Sequence, residues 1–190
     1  MVTAAFFLLH SMWIPAKAEL AQWLLERSWD EVLAGANDAR PWPWADTQAV
    51  AVLEAPRHGV RQLVLAGDSG RNLAFGPALH GDFRSRDVVI SGHRDTHFVF
   101  LGDLRLGDHL RLETPAGIRE YEVAFTEIIN IERHALVLEP GIERLSLVTC
   151  YPFEALTPGG PLRYVVTALP YDGRGEAPLL QAQRDATKNL

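Results

Sequence analysis

The hydrophobic pattern divides the chain into three stretches. Val2 to Ile14 is an uncharged, mostly apolar run. Residues 16 to 34 carry Ala18, Leu20, Ala21, Leu24, Leu25, Val32 and Leu33 at helical spacing, with Gly35 placed to end the helix. Pro41-Trp42-Pro43-Trp44 then precludes regular helix and predicts an extended linker. From Gln48 the pattern turns to short apolar or alternating runs. Ala49 to Leu53 and Gln62 to Ala66, split by Pro56 to Gly59, predict a hairpin. Asp87 to Ser91, Asp108 to Thr114, Ile118 to Ile131, Arg144 to Cys150 and Leu162 to Leu169 predict further strands. Gly67 to Phe75 holds a helical patch, Phe98 to Leu104 a helical turn, and His134 to Gly141 a loop. The implied fold is mainly β, a closed barrel or a sandwich with short helices, preceded by an N-terminal helix. The divisions are residues 1–35 (N-terminal segment), 36–47 (Pro/Trp linker), 48–170 (β domain) and 171–190 (polar tail).

Composition adds limits. A length of 190 residues suits one domain with extensions, and 47% apolar content suits a buried core. The formal charge of −6 is spread along the chain and argues against a nucleic-acid partner. No zinc-like Cys/His spacing or phosphate-binding glycine loop is present, so no metal and no cofactor is expected. The N-terminal run is short for a spanning helix, which wants about 20 apolar residues. Three readings stand: a membrane anchor, a signal peptide cleaved near Ala16-Lys17-Ala18, or a buried amphipathic helix. Trp13, Lys17 and Trp23 are residue types that favour a membrane interface.

The single cysteine, Cys150, closes the run Leu145-Ser146-Leu147-Val148-Thr149. A lone thiol at a strand end is held in place yet reachable, so it is either core filler or a nucleophile. The thiolate is the attacking form, and a histidine can move the protons that acyl transfer requires. His93 follows a predicted strand, with Gly92 freeing the backbone before it. Arg163, on the next predicted strand, offers a permanent cation to an oxyanion, or could pair with Glu154 or Asp95. Arg94 and Asp95 are placed to orient the His93 loop. His97 follows His93 by four residues, a spacing that on a helix would mimic a metal pair; a structural role is preferred. Tyr151-Pro152-Phe153 could wall a peptide groove or simply pack. His58, His80, His109 and His134 are expected at the surface.

Ser146-Leu147-Val148-Thr149-Cys150 resembles the Thr-Leu-x-Thr-Cys signature of sortases, and Ser91-Gly92-His93-Arg94 resembles their catalytic histidine segment. Arg163 matches the family's essential arginine. The resemblance covers about residues 48 to 169, and its details look most like the Gram-negative sortases, near classes D and E. It implies an eight-stranded β-barrel and a cysteine transpeptidase with His93, Cys150 and Arg163 catalytic and Thr149 beside the substrate. It also implies a protein substrate with an LPxTG-like C-terminal sorting signal, an amine acceptor, and an N-terminal anchor in the cytoplasmic membrane with the catalytic domain facing outward. The alternatives are a hydrolase using the same residues with water, and a non-catalytic peptide-binding barrel.

Overall fold

The computed structural model describes residues 2–67, 69–133, 142–155 and 159–173, with side chains from Ala16 onward. One helix, α1 (Val2–Leu33), takes in both the apolar run and the predicted helix. Eight strands follow: β1 (Ala49–Ala55), β2 (Val60–Ala66), β3 (Ala78–His80), β4 (Asp87–Ser91), β5 (His109–Thr114), β6 (Gly117–Asn130), β7 (Arg144–Cys150) and β8 (Leu162–Pro170). They close into a barrel in the order β1-β2-β3-β4-β7-β8-β6-β5. β2–β3 and β4–β7 pair in parallel.

The β1–β2 hairpin turns where Pro56 and Gly59 predict it. Pro56 opens a one-turn 3₁₀ helix, and Gly59 takes the left-handed φ of 63° that ends it. Both strands run two residues nearer the turn than the apolar runs alone suggest. β3 is the strand the pattern misses. It has three residues, too few to show an alternation, and it pairs in parallel with β2 and antiparallel with β4.

Alternation sorts the strands' side chains between two cores. Leu53, Ile90, Phe98, Leu110, Leu112, Tyr121, Leu145, Leu147 and Val166 fill the barrel. Val52, Leu63 and Leu65 point outward and are covered by Leu25 and Trp29 of α1. This explains why β1 reads as a continuous apolar run: the helix buries its second face. No helix among the described residues is long and apolar enough to cross a membrane.

The segment before β1 is not a free spacer. The Ser28 hydroxyl donates to the Ala39 carbonyl, the Ala39 N–H donates to Gln48 Oε1 at 3.0 Å, and Thr47 Oγ1 donates to the Ala66 carbonyl at 2.8 Å. Trp42 packs edge-on against Phe75, with ring centres 5.3 Å apart, while Trp44 is exposed. The predicted 134–141 loop, with His134, and the tail from residue 174 lie outside the described residues.

Asp108, buried before β5, joins this strand to the β1–β2 turn. It accepts bonds from Arg57 Nη1 at 2.7 Å and the Arg105 N–H at 2.9 Å, and lies 3.0 Å from His58 Nε2. Burial alone would raise its pKa. The bonds from His58, the Arg105 N–H and Arg57 outweigh burial and hold it at about 2, below the ordinary 3.8. His58, expected at the surface, is thus tied into the fold. An acid with a depressed pKa stabilises the fold above its unfolded value and loses that contribution as pH falls toward the folded one. Asp108→Asn is therefore expected to cost about 2 kcal/mol at neutral pH, with the gap from wild type closing between about pH 4 and pH 2. Urea denaturation across that pH range checks it.

Candidate active site

β4, β7 and β8 lie side by side, and their registers set the site. Along the parallel pair, Asp87 is beside Arg144 and Ser91 is beside Val148. Along the antiparallel pair, Val148 faces Val165 and Cys150 faces Arg163. Directly opposed residues share a face, with Cβ atoms about 5 Å apart. Cys150 and Arg163 are both partly exposed, so their shared face is the barrel's outside. β6 extends the row, with Ile129 opposite Arg163. Beyond Ser91, the Gly92 N–H donates to the Val148 carbonyl at 3.1 Å, so the β4–β7 register carries on past the strand end. Two residues beyond Ser91 is His93, and two beyond Val148 is Cys150. The topology thus sets Cys150 opposite Arg163 and carries the segment of His93 past the end of β4 alongside the cysteine strand.

Local contacts hold this arrangement. Thr149 is buried, and its hydroxyl donates to the Gly92 carbonyl at 2.8 Å. Its side chain ties the cysteine strand to the histidine segment. The Phe98 N–H donates to the His93 carbonyl at 2.9 Å and closes the following loop, and Phe98 is wholly buried. Gly92 sits against that ring: a Cβ there would meet Phe98 Cγ at 2.7 Å. Residues 94–97 form turns, so His93 and His97 do not share a helix face. Burial lowers the His97 pKa, opposed by a bond to the Ala74 carbonyl and reinforced by nearby His93. Gln62 Nε2 donates to the His97 carbonyl at 2.6 Å.

Arg94 is buried and holds the histidine loop to the turn that follows Cys150. Its Nη1 donates to the Pro152 carbonyl and its Nη2 to the Ala155 carbonyl, both at 2.7 Å. Nε and Nη2 fork onto the two Asp95 oxygens at 2.6 and 3.0 Å. That hydrogen bond lowers the Asp95 pKa and raises that of Arg94. Asp95 is therefore taken by Arg94 and not by Arg163. Arg163 Nη1 donates to the Gly160 and Leu162 carbonyls at 2.6 and 2.9 Å. Tyr151, Phe153 and Tyr164 form an aromatic cluster beside the cysteine, with Phe153 and Tyr164 5.2 Å apart.

A cleft of about 270 Å³ opens beside Arg163, lined by His80, Val89, Ser91, Ile129, Ile131 and Val148 as well. His80 donates to or accepts from Ser91 Oγ across 2.7 Å. His80 is exposed, as expected of a surface histidine. Its place beside the cleft follows only from the pairing of β3 with β4, so no pattern in the chain signalled it.

The comparisons agree with this geometry. The sortase domain model matches residues 53–171, more than half of the chain. The chain belongs to the sortase family. Sortase D of Bacillus subtilis (strain 168) is 34% identical over 124 residues, which is 63% of this chain and 62% of that protein. The chain thus matches under two thirds of this relative's length. Among solved structures, a Clostridium perfringens sortase D5 transpeptidase superposes with a TM-score of 0.60 at 18% identity, over 80% of this chain and 99% of its own. Sortase A of Corynebacterium diphtheriae gives 0.58 at 18% identity, over 83% and 87%. These likenesses show the eight-stranded barrel as a sortase barrel.

Gly92→Ala is expected to cost about 1–3 kcal/mol, because the buried Phe98 ring cannot yield without moving the loop that carries His93. Chemical denaturation measures the loss. The alkylation rate of Cys150 reports the accompanying displacement, and a stable variant with an unchanged rate would contradict it.

Proposed function

We propose that the chain is a cysteine transpeptidase that cuts an LPxTG-like C-terminal sorting signal and passes the protein to an amine acceptor. The observation that carries this is the pairing of Cys150 with Arg163 on the outer face, beside a cleft with an apolar floor and with the His93 segment alongside the cysteine strand. A thiol, a proton carrier and a fixed cation are what acyl transfer to and from sulfur requires. Membership of the sortase family supports the same reading.

The Cys150 thiolate attacks the carbonyl carbon on the N-terminal side of the scissile bond, and a C–S bond forms. The carbonyl oxygen becomes an oxyanion facing the Arg163 fork. The C–N bond breaks, and the leaving amine takes a proton from His93. A thioester remains on Cys150. The acceptor amine gives a proton to His93 and attacks the thioester, and the Cys150 thiolate leaves. Val89, Val148, Ile129 and Ile131 offer an apolar surface to the signal's hydrophobic residues.

The same reading holds the enzyme at the cytoplasmic membrane through the N-terminal segment, with the barrel outside. The uncharged run from Val2 to Ile14 supports it, as does the single helix that joins this run to Leu25 and Trp29 on the barrel wall. Full-length protein is expected in the membrane fraction, with the barrel accessible to protease from the outer side.

Intact-mass spectrometry of the full chain with an LPxTG peptide tests the chemistry. The expected product is an acyl adduct on Cys150 that moves to an added amine; cleavage without transfer would assign the residues to hydrolysis. Cys150→Ala should abolish the adduct, and His93→Ala should slow turnover by about 10²–10⁴-fold with the fold intact. Arg163→Lys keeps the charge but loses the planar fork, so a fall in kcat of about 100-fold is expected. A fully active lysine variant would leave only charge to Arg163.

A further inference from the structure

Arg94 stands between the two segments that bear the acting residues. It follows His93 directly, and its guanidinium is buried against the turn that follows Cys150. Four of its five N–H donors are used: two on Asp95, one on the Pro152 carbonyl and one on the Ala155 carbonyl. The anchoring is unequal. Asp95 is exposed on one side, whereas the two carbonyls belong to the backbone that leads away from the thiol. A surface ion pair contributes little by itself. A buried arginine bridging two loops defines their separation, because its planar fork meets all three acceptors only at one spacing.

We propose that Arg94 is the positioning residue of this site, fixing the His93 loop against the Cys150 turn. The proposal rests on Cys150 and His93 acting as the reacting pair. Arg94 does not serve the substrate itself, since four of its five donors are committed to the protein. Arg94 differs from Arg163 in being buried between two loops. Its removal therefore alters the geometry of the pair.

Alkylation of Cys150 by iodoacetamide reads this without any peptide substrate. The thiolate attacks the methylene carbon, a C–S bond forms and iodide leaves. The chain has one cysteine, so the signal is unambiguous. The experiment uses the full-length chain in detergent as wild type, Arg94→Gln and Arg94→Lys, with folding followed by circular dichroism. For Arg94→Gln the alkylation rate at neutral pH is expected to fall about tenfold, and kcat for peptide transfer to fall with it at unchanged KM. Arg94→Lys keeps the charge but cannot span the three acceptors. Its kcat for peptide transfer is expected to fall about tenfold at unchanged KM. A folded glutamine variant with the wild-type alkylation rate would overturn the proposal. So would a lysine variant with wild-type kcat, which also decides the matter if the glutamine variant does not fold. Failure of wild type to process the sorting peptide would count against the transpeptidase reading; the alkylation comparison stands apart from it.

Discussion

The register of β4 on β7 is the constraint on which the site depends. The two strands are parallel, so no tight hairpin fixes their alignment. It is pinned at both ends by side chains. At the start, Asp87 and Arg144 are register partners, and Arg144 Nη2 reaches Asp87 Oδ2 at 2.7 Å with the carboxylate fully buried. At the end, Thr149 Oγ1 bonds the Gly92 carbonyl. Between them Val88, Ile90, Leu145 and Leu147 face the barrel core. A slip of either strand by one residue would turn its two core residues outward and bury its outward set, at the cost of the core and of the ion pair together. The placing of the His93 segment alongside the cysteine strand is therefore a by-product of burying aliphatic side chains correctly.

The same logic explains what was legible in the chain. Strands of five residues or more announced themselves: Asp87 to Ser91 and Arg144 to Cys150 appear with the predicted limits. β3 did not, because three residues carry no period and its parallel contact with β2 is a tertiary fact. The place of His80 beside the cleft was lost with it. Thr149 shows the opposite limit. Its position beside Cys150 is plain in the sequence, but which face it takes follows from alternation: Cys150 is outward, so its neighbour is inward. The reach of Arg94 to Pro152 and Ala155 spans about sixty residues of chain, and no local pattern encodes such a bond.

α1 shows how a second layer alters the reading of a strand. Alone, β1 would face solvent on one side and should alternate. Its unbroken Ala-Val-Ala-Val-Leu reflects cover by Leu25 and Trp29. Gln22 Nε2 also donates to the Phe75 carbonyl, and the neighbouring Ala74 carbonyl accepts from His97. The helix is thus joined through one short 3₁₀ segment to the loop that carries His93. The N-terminal segment and the candidate site belong to one continuous packing arrangement, not to a domain and a detached tether.

Two arginines near one thiol raise the question of which one faces a developing oxyanion. Donor accounting separates them. Arg94 is buried and has four donors committed to protein acceptors; redirecting one of them toward a substrate would break its bond to Asp95 or to the turn that follows Cys150. Arg163 is partly exposed, and among the described residues its bonds use Nη1 alone, to two carbonyls of its own loop. Nε and Nη2 remain to donate toward the cleft. Its register partner is Cys150 itself, so a carbonyl attacked by the thiol forms its oxyanion within reach of that fork. On the proposed reading the labour divides: the partly exposed Arg163 has donors left to meet an oxyanion, and the buried Arg94 ties the two loops together.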